Sequence, residues 1–405
     1  MHLRCVECGA CRPADLSYDC GVCGGILEVA DPLGVSTAGN PYLQGGMWRW
    51  GECLPVGDAD AILSLGEGMT PLSRASRLEQ RFGFDGEIWL KNETVNPTGS
   101  FKDRHISVAL SRARELGCRG IVCASSGNAG ASASAYAAHA GMRAVVIVPS
   151  LTPAEKLLQI GAYGAIVVKV DGDYSNSYRV GRLLAERHGL ANVTTTYLNP
   201  YGNDALKLVA YEILEQMSGQ VPDYVLIPTG AGPLVKGIVQ GFRECAPGRE
   251  PKPVVVQAEG CAPIVRAFAA GDERVEAWGT PTTFASGIND PLIGYERDGT
   301  YTLRLVREMG GLAVAVSDAA ILEAMRALAR EEGILAEPTG ASPIAALATL
   351  LAAGVLKGTR VACLITGHGF KDFKQWARTP TRVHQLHDPA DAQAIAGLLT
   401  ELECQ

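Results

Sequence analysis

From residue 65 onward, short apolar runs rich in β-branched residues alternate with longer stretches whose apolar positions recur at helical spacing. Each run has the length of a buried strand, and turn-forming residues bound it. Strands that alternate with helices in this way form parallel sheets joined by crossover helices, so the pattern predicts the doubly wound α/β class. The predicted strands are residues 120–124, 144–148, 165–170, 224–227, 253–258 and 361–365.

Residues 1–30 follow a different pattern, in which two Cys-x2-Cys pairs, each followed by glycine, precede a short apolar strand at residues 26–29. This spacing is typical of a zinc ribbon. The candidate ligands are Cys5, Cys8, Cys20 and Cys23. Because four thiolates leave no open coordination position, we expect a structural zinc and not a catalytic one. The alternative is a ribbon that folds without metal. Residues 31–65, rich in Gly, Pro and Trp, are expected to be irregular.

Composition narrows the classes of protein that fit this pattern. A chain of 405 residues with 47% hydrophobic and 20% charged residues can bury a large core in more than one lobe. The net charge is −7 and basic residues are scattered, so nucleic acid is not expected as a partner. Apolar runs are far shorter than a membrane span. Twelve cysteines behind an amino terminus without an apolar signal segment predict free thiols in the cytoplasm.

Residues 96–104, NPTGSFKDR, place one lysine where a helix begins. The first four residues form turns, and Ser100 is the predicted N-cap of an amphipathic helix that ends at Gly117. Lys102 then lies in the first turn, where the positive end of the helix dipole favours the neutral amine. A neutral lysine is what Schiff-base chemistry requires. The alternative is an ordinary solvated lysine.

Three further segments follow predicted strands and carry candidate chemistry. Residues 125–130, SSGNAG, open a helix with small residues whose free backbone N–H groups suit a carboxylate. Residues 228–234, PTGAGPL, form a glycine-rich turn that suits a phosphate, although Pro233 removes one N–H donor. Residues 364–372 read LITGHGFKD. An ordinary capped helix is the alternative for the first segment, and the second lacks the full dinucleotide fingerprint.

Together these motifs resemble those of the fold-type II pyridoxal-phosphate (PLP) enzymes, and NPTGSFKDR and TGHGFKD are most similar to the threonine synthase family. The resemblance runs from Cys5 to about Asp372. It implies two doubly wound α/β lobes behind a zinc-ribbon-like segment, with PLP in the cleft. The implied domains are the ribbon at 1–30, a large PLP-binding domain at 31–110 and 201–405, and a smaller α/β domain at 111–200.

The resemblance also implies a role for each motif. Lys102 would carry PLP as a Schiff base, and the Thr366 hydroxyl would face the pyridine nitrogen, which favours elimination over transamination. The implied cofactor contacts are Phe101, Lys102, Asn128, Thr229, Gly230, Ala231, Gly232, Leu234 and Thr366. The implied substrate contacts are Ser100, Ser125, Ser126, Gly127, Asn128 and Ala129. His368 is expected to be structural, and the role of Glu337 stays open.

The implied activity is that of a lyase which converts O-phospho-L-homoserine and water to L-threonine and phosphate, through an external aldimine with γ-elimination and β-addition. The partner is then a small phosphorylated amino acid, and we expect a cytoplasmic homodimer. Residues 285–291, ASGINDP, depart from the family's AIRIGNP, because the arginine is missing and Asp290 has appeared. This departure keeps two alternatives open, namely β-replacement on O-phosphoserine, as in cysteate synthase, and a serine or threonine ammonia-lyase.

Two further questions stay open in the sequence. Lys91 and Glu93 precede the lysine loop, where they could line the substrate side or form an ion pair that braces the lobes. A non-catalytic binding protein, with the ribbon as its partner site, is the alternative from another class of function. The presence of Lys102, Asn128 and Thr366 speaks against it.

Overall fold

The computed structural model describes residues 1–30, 45–172 and 174–377. Met1–Asp372 form one compact unit. Of a second unit, Phe373–Gln405, only residues 373–377 are described. The domain bounds inferred from the sequence stay a prediction.

The amino-terminal segment is a small antiparallel sheet. Its strands are β1 (His2–Cys5), β2 (Cys11–Pro13) and β3 (Leu27–Val29), in the spatial order β2-β1-β3. Leu3 and Leu27 are buried from this sheet into a cluster with Trp48 and Trp50. The predicted strand at 26–29 is therefore present, and the ribbon packs against the rest of the unit through an apolar face.

The larger α/β sheet has six strands. They are β4 (Leu72–Arg74), β5 (Glu87–Asn92), β10 (Tyr224–Pro228), β11 (Lys252–Ala258), β12 (Leu312–Val316) and β13 (Arg360–Ile365). Their spatial order is β12-β11-β10-β13-β5-β4, and only the edge strand β4 is antiparallel to its neighbour. Central Leu226 pairs with Val254 on one side and Cys363 on the other, and all three are fully buried. Burial on both faces explains why these strands read as continuous apolar runs.

The smaller α/β sheet has four parallel strands. They are β6 (Gly120–Ala124), β7 (Arg143–Pro149), β8 (Ile166–Val170) and β9 (Ala191–Asn192), in the order β8-β7-β6-β9. With the larger sheet, this arrangement confirms the doubly wound α/β class. All six strands predicted for the α/β part are present, with ends that differ by at most one residue. The sequence pattern missed β4, β5, β9 and β12.

Helices connect the strands of both sheets. They are α1 (Ser76–Phe82), α2 (Lys102–Glu115), α3 (Asn128–His139), α4 (Ala154–Ala162), α5 (Tyr174–His188), α6 (Pro200–Ala205), α7 (Leu208–Gln216), α8 (Pro233–Cys245), α9 (Pro263–Ala270), α10 (Glu296–Glu308), α11 (Asp318–Glu332), α12 (Pro338–Ala352) and, in the second unit, α13 (Phe373–Trp376). Short 3-10 helices lie at Gly46–Cys53, Ala59–Ala61, Glu93–Val95, Ser286–Ile288 and Gly369–Lys371. No helix among the described residues combines the length and apolarity needed to cross a bilayer.

The irregular segment predicted at 31–65 is described only from residue 45, and residues 31–44 lie outside the described part of the chain. Two of the 3-10 helices fall within residues 45–65, so this stretch contains short helical turns. Each cysteine that the structure describes is a free thiol, which agrees with the expectation of reduced cysteines.

A buried ion network joins α2, β5 and α7. Arg104 pairs with Glu93 (2.7 Å) and with Glu212 (2.6 Å), and Lys91 pairs with Glu212 (2.6 Å). All four side chains are at most 1% exposed. Lys91 also donates to the backbone oxygen of Thr70 (2.7 Å). Lys91 and Glu93 therefore brace the elements around the lysine loop, which decides between the two roles that the sequence left open.

Candidate active site

The four chemical motifs follow the carboxyl ends of parallel strands. The lysine loop comes after β5, SSGNAG after β6, PTGAGPL after β10 and TGHGFKD after β13. In open α/β sheets, ligands bind at this edge, where several loops meet. The fold thus brings together motifs that are up to about 270 residues apart in the chain.

The lysine loop, residues 96–102, pairs with the segment that follows β13. The N–H of Phe101 donates to the oxygen of Thr366 (3.1 Å), and the N–H of His368 donates to the oxygen of Gly99 (2.9 Å). These two backbone bonds hold the first residue of α2 beside the TGHG segment. The first and last of the four motifs therefore form one site.

The predicted N-cap role of Ser100 is wrong. The N-cap is Phe101, no side chain caps the helix, and α2 begins at Lys102. Ser100 forms a backbone bridge with Gly367, and its side chain is fully buried. The buried Ser100 hydroxyl makes no capping hydrogen bond to the first turn of α2. The hydroxyl has no hydrogen-bond partner among the described residues, and its contact with substrate stays a prediction.

Asp103 fixes the turn before α2 instead. Its carboxylate accepts hydrogen bonds from the Thr98 N–H (2.7 Å), the Thr98 hydroxyl (2.6 Å) and the Ser132 hydroxyl (2.6 Å). Burial raises the pKa of Asp103 to about 6, although these hydrogen bonds act in the opposite direction. Since Ser132 belongs to α3, this carboxylate ties the lysine loop to the helix of the SSGNAG motif.

The Lys102 amine lies in a half-buried position between the two sheets' loops. It donates to the Thr195 hydroxyl (2.8 Å), just after β9, and lies 4.6 Å from the centre of the Phe101 ring. Burial lowers the pKa of this amine to about 8, although the Cys123 thiol and the Asp290 and Glu337 carboxyl groups act in the opposite direction. A lysine with this pKa is partly neutral near pH 7 and can act as a nucleophile or a base.

The turn after β10 presents a row of free backbone donors. Within the part of the chain that the structure describes, the N–H groups of Gly230, Ala231 and Gly232 donate no hydrogen bond. Gly232 has φ +120°, a backbone conformation that favours glycine, and a Cβ there would lie 1.8 Å from the Thr302 hydroxyl. That hydroxyl donates to the Ala231 oxygen (2.7 Å) and so supports the turn from α10. This geometry forms a cup for an anion such as a phosphate.

Two neighbours define the limits of the cup. The Thr229 N–H donates to Val256 (2.9 Å) and its hydroxyl to Ile227 (2.7 Å), so both donors of Thr229 are already committed. Pro233 is the first residue of α8, where an N–H would lack a helical partner in any case. Leu234 follows it in the first turn, and its N–H has no acceptor within an α-helix. The cup therefore relies on backbone donors more than on Thr229.

The SSGNAG segment places the first turn of α3 next to a buried carboxyl group. The Asn128 amide donates to Glu337 (2.7 Å), and Glu337 is only 7% exposed. Burial raises the pKa of Glu337, although the Lys371 cation and the Asn128 amide lower it. The Ser125 hydroxyl accepts from the Gly127 N–H (3.2 Å), which shapes the turn before α3. The N–H groups at this helix start can bind a carboxylate.

The side chains of Thr366 and His368 differ in whether they have a hydrogen-bond partner. The Thr366 hydroxyl is buried and has no hydrogen-bond partner among the described residues. A buried donor without a partner costs stability, so such a group is a candidate for contact with a ligand. The Nδ1 atom of His368 accepts from the Phe370 N–H (3.1 Å), and a structural role was expected for this histidine.

Asp290 lies at the edge of the cup. Its carboxyl accepts hydrogen bonds from the Tyr295 hydroxyl (2.5 Å) and the Leu292 N–H (3.1 Å). A Cβ at Gly230 would be 3.5 Å from the other carboxyl oxygen. Burial raises the pKa of Asp290, although the Lys102 cation lowers it. The acidic residue that distinguishes this chain's ASGINDP segment is thus part of the site.

Gly287 occupies the place in this segment where the resemblance to the family implies an arginine. Its N–H donates to the Thr339 hydroxyl (2.9 Å), and a Cβ at Gly287 would lie 2.8 Å from the same oxygen. Thr339, near the start of α12, therefore fills the space that a side chain at this position needs.

The structure adds three residues that the sequence reasoning missed. Thr195 accepts from Lys102, Thr302 supports the cup, and Cys123 places a buried thiol near the lysine. Thr195 lies in a polar run, residues 194–196, shortly after β9, a strand that the sequence pattern missed, so the sequence offered no clear signal for it. Nothing in the amphipathic pattern of α10 distinguishes Thr302 from other buried threonines.

The four ribbon cysteines form a second site, apart from the lysine. Their Sγ atoms all lie within 4.8 Å of one another, with 3.5 Å between Cys5 and Cys23 and 3.7 Å between Cys8 and Cys20. Four thiolates about 2.3 Å from one zinc ion are about 3.8 Å apart, so this geometry fits a tetrahedral metal site. The Val22 N–H also donates to the Cys20 Sγ (3.4 Å), as in a metal-binding knuckle. The cluster can hold a metal ion.

Comparison with known proteins places this chain in a family. The family model described as "Pyridoxal-phosphate dependent enzyme" matches residues 63–367. A threonine synthase of Methanocaldococcus jannaschii is 38% identical over 384 residues, which cover 92% of this chain and 93% of that protein. A threonine synthase of Halalkalibacterium halodurans is 36% identical over 357 residues, which cover 87% of this chain and 96% of that protein.

Solved structures agree at the level of the fold. The processed threonine deaminase isoform 2 of Solanum lycopersicum has a TM-score of 0.67 at 23% identity, over 80% of this chain and 94% of that chain. Maize serine racemase has a TM-score of 0.65 at 21% identity, and the match covers 76% of this chain and 92% of that chain. Both similarities concern the fold alone, whereas the sequence matches extend over nearly the whole chain. The chain therefore belongs to the threonine synthase family of PLP-dependent enzymes, with the fold-type II architecture.

Proposed function

We propose that this enzyme is a carbon–oxygen lyase that converts O-phospho-L-homoserine and water to L-threonine and phosphate, with PLP held by Lys102. The names of its relatives support the proposal. The observation that carries it is the buried Thr366 hydroxyl beside the lysine loop, for which the described part of the chain offers no hydrogen-bond partner. A hydroxyl facing the pyridine nitrogen, in place of a carboxylate, makes the ring a weaker electron sink and favours elimination.

The residues of the site fit PLP. Lys102 would hold its aldehyde carbon, the free N–H groups of Gly230, Ala231 and Gly232 would bind its phosphate, and Thr366 would contact the ring nitrogen. Bound PLP supplies the electron sink that makes bonds at the substrate's Cα and Cβ labile.

The chain's own residues then position the substrate and move protons. The first-turn N–H groups of α3 bind the substrate carboxylate. As a neutral amine, Lys102 would take the Cα proton and transfer protons at Cβ. Phosphate would leave from Cγ, and the proton taken from Cβ would be delivered to Cγ. Water would add its hydroxyl at Cβ while its proton goes to the phosphate, and Lys102 would return the Cα proton. Asn128, held by Glu337, lies at the start of the same helix.

Asp290 favours a second candidate function. A carboxyl group at the edge of the cup, with Gly287 in place of arginine, lowers the positive charge available to a second phosphate group. This arrangement suits serine or threonine as the substrate of an ammonia-lyase better than a phosphorylated amino acid. β-Replacement on O-phosphoserine stays the other alternative.

A substrate panel separates these candidates. The purified holoenzyme is given O-phospho-L-homoserine, O-phospho-L-serine, L-serine or L-threonine, and phosphate, ammonia and threonine are measured. We expect phosphate and threonine in equal amounts from O-phospho-L-homoserine alone. Ammonia from serine or threonine without threonine formation would instead establish the ammonia-lyase, and phosphate from O-phosphoserine with an added nucleophile would establish β-replacement.

The lowered pKa of Lys102 predicts how the cofactor-free protein captures PLP at different pH values. Only the neutral amine attacks the aldehyde, so the capture rate rises with pH until about pH 8 and then levels off. The rate at which free Nα-acetyl-lysine captures PLP continues to rise beyond pH 8, because its amine has a pKa of about 10.4. The ratio of the two rates, followed by absorbance, should be constant below pH 8 and fall about tenfold per pH unit above it. A ratio that stays constant to pH 10 would show an ordinary lysine.

We also propose that the ribbon cysteines hold one structural zinc ion. The spacing of the four Sγ atoms supports it, and four thiolates leave no position for substrate. The ribbon would then contribute to stability and not to the chemical step. The homodimer and the cytoplasmic location stay predictions from the sequence.

Metal analysis of the purified protein tests the zinc proposal. We expect about one zinc ion per chain, and its loss in a Cys20→Ser/Cys23→Ser variant, which should lower the thermal midpoint while changing kcat by less than about twofold. Cys11→Ser is the control, because this exposed thiol lies outside the cluster and its loss should leave the zinc content unchanged. Loss of zinc with an unchanged thermal midpoint would show that the ribbon is stable without metal.

A further inference from the structure

We infer that Asp19, in the ribbon, is a positioning residue that holds α5 and α10 together and thereby fixes two sides of the active site. Its two carboxylate oxygens bind different helices. Oδ2 accepts from Arg182 of α5, which packs on the smaller sheet, and Oδ1 accepts from Arg297 of α10, which packs on the larger sheet. This one side chain therefore joins elements of both α/β sheets.

The contact through α5 leads to the edge of the cup. Tyr178, four residues before Arg182, stacks on Tyr295 with ring centres 4.9 Å apart. Tyr295 in turn donates its hydroxyl to Asp290 (2.5 Å). A shift of α5 would therefore displace the residue that holds Asp290 beside Gly230.

The contact through α10 leads to the cup itself. Thr302, in the same helix as Arg297, donates to the Ala231 oxygen (2.7 Å) and contacts the Tyr197 hydroxyl (3.0 Å). Asp298, directly after Arg297, accepts from the Tyr197 N–H (3.1 Å). The position of α10 thus sets the backbone whose free N–H groups form the anion site.

Asp19 also separates two like charges. Arg182 and Arg297 bind the two oxygens of one carboxylate, so a negative charge lies between their guanidinium groups. Each arginine also faces a more distant carboxylate, Glu186 (3.6 Å) for Arg182 and Asp298 (3.9 Å) for Arg297. The Asp19 side chain is 21% exposed, and the arginines are 31% and 40% exposed. Water reduces each interaction at this exposure, so we expect a change in the relative position of the helices and not unfolding.

The cysteine cluster determines where Asp19 lies. Asp19 directly precedes Cys20, and Arg297 also donates to the backbone oxygen of Gly24 in the same knuckle. On the other side, the Asn192 N–H, in β9, donates to the Tyr18 hydroxyl (2.6 Å). A metal bound by the four cysteines would fix this loop, so metal occupancy should act on the active site through Asp19. The inference depends on the proposed metal and PLP sites, but not on the identity of the substrate.

Hydrogen–deuterium exchange of the holoenzyme, read by mass spectrometry, tests the inference without turnover. Asp19→Asn keeps the size of the side chain and removes its charge. We expect amide exchange in both α5 and α10 to accelerate about fivefold, as the loss of a partly exposed ion pair predicts. Removing zinc with a chelator should produce the same acceleration in the wild-type protein and no further change in Asp19→Asn.

Two variants control this experiment. Glu7→Gln removes another ribbon ion pair, with Arg304 (3.0 Å), that reaches α10 but not α5, and it should leave exchange in α5 unchanged. Asp19→Asn/Arg182→Gln removes one of the two facing cations, so exchange in α10 should be slower than in Asp19→Asn but faster than in wild type. Equal acceleration in α5 for Asp19→Asn and Glu7→Gln, or no acceleration in either variant, would overturn the inference.

A measurement of KM and kcat for Asp19→Asn and wild type completes the test. It uses the substrate of the panel that the wild-type enzyme converts. We expect Asp19→Asn to raise KM about fivefold while kcat changes by less than about twofold, because the site is displaced but its chemical groups remain. A fall in kcat at constant KM would contradict a positioning role. If no substrate of the panel reacts, the proposed reaction fails, but the exchange experiment still decides the role of Asp19.

Discussion

Lys102→Ala is expected to abolish turnover, with a loss in kcat of about 10³-fold or more, because the variant lacks both the group that holds PLP and the base at Cα. Among the lysines near the site, Lys102 is the one that begins a helix at the carboxyl edge of the sheets and has its pKa lowered to about 8 by burial. The variant should also lose the visible absorbance of the lysine–cofactor bond.

Borohydride reduction followed by peptide mapping identifies the lysine that carries PLP. The wild-type label should lie on Lys102 only. Lys371→Ala is the matched control, since burial also lowers the pKa of Lys371, but its amine is bound to Gln159 (2.8 Å). That variant should keep the label on Lys102. A label on any other lysine of the wild-type protein would refute the assignment.

Glu212→Gln is expected to lower the free energy of unfolding by about 3–5 kcal/mol, because it leaves buried Lys91 without a counter-ion and leaves buried Arg104 with Glu93 alone. Glu212 contacts Arg104 through both oxygens (2.6 and 2.8 Å) and Lys91 through one (2.6 Å). Burial opposes ionisation of Glu212, but the Arg104 and Lys91 cations outweigh it and lower its pKa to about 2.

The control for this variant lies on the same helix. Glu215→Gln removes a partly exposed ion pair with Arg49 (3.1 Å) and should cost less than about 1 kcal/mol in urea unfolding followed by circular dichroism. The stability from Glu212 is present above the ordinary pKa of 4.5 and is lost as the pH falls toward 2, so the difference between Glu212→Gln and wild type should shrink over that range. Equal losses in the two variants would contradict a buried ion network.

The sequence predicted most of the fold because buried parallel strands carry a local signal. Strands β6, β7, β8, β10, β11 and β13 are short apolar runs that are visible without any tertiary contact. Strand β5 was missed because its sequence, EIWLKN, contains Glu87, Lys91 and Asn92. Lys91 is tolerated in a buried strand only because Glu212, 121 residues later, neutralises it. No local pattern contains that information.

The parts of the candidate site that depend on local backbone geometry were predictable from the sequence. The parts that depend on tertiary contacts were not. The turn of residues 230–232 is visible in the sequence because glycines permit its conformation. Thr195 and Thr302 were missed because threonines have ordinary structural uses throughout a fold, and only proximity to Lys102 or to Ala231 gives them a role. Ser100 was misassigned because its N-cap propensity is local, whereas the bridge to Gly367 that buries it comes from the far end of the chain.

The contact between Gly287 and Thr339 also restricts how this enzyme can evolve. An arginine at 287 would supply the residue that the family resemblance implies, but its Cβ would lie 2.8 Å from the Thr339 hydroxyl oxygen. The mutation is therefore harmful by itself, whereas a smaller residue at 339 costs one hydrogen bond to the Gly287 N–H. The two substitutions are epistatic, and the accessible order is 339 first and 287 second. A lineage that keeps Thr339 is confined to glycine at 287, whatever selection acts on its substrate.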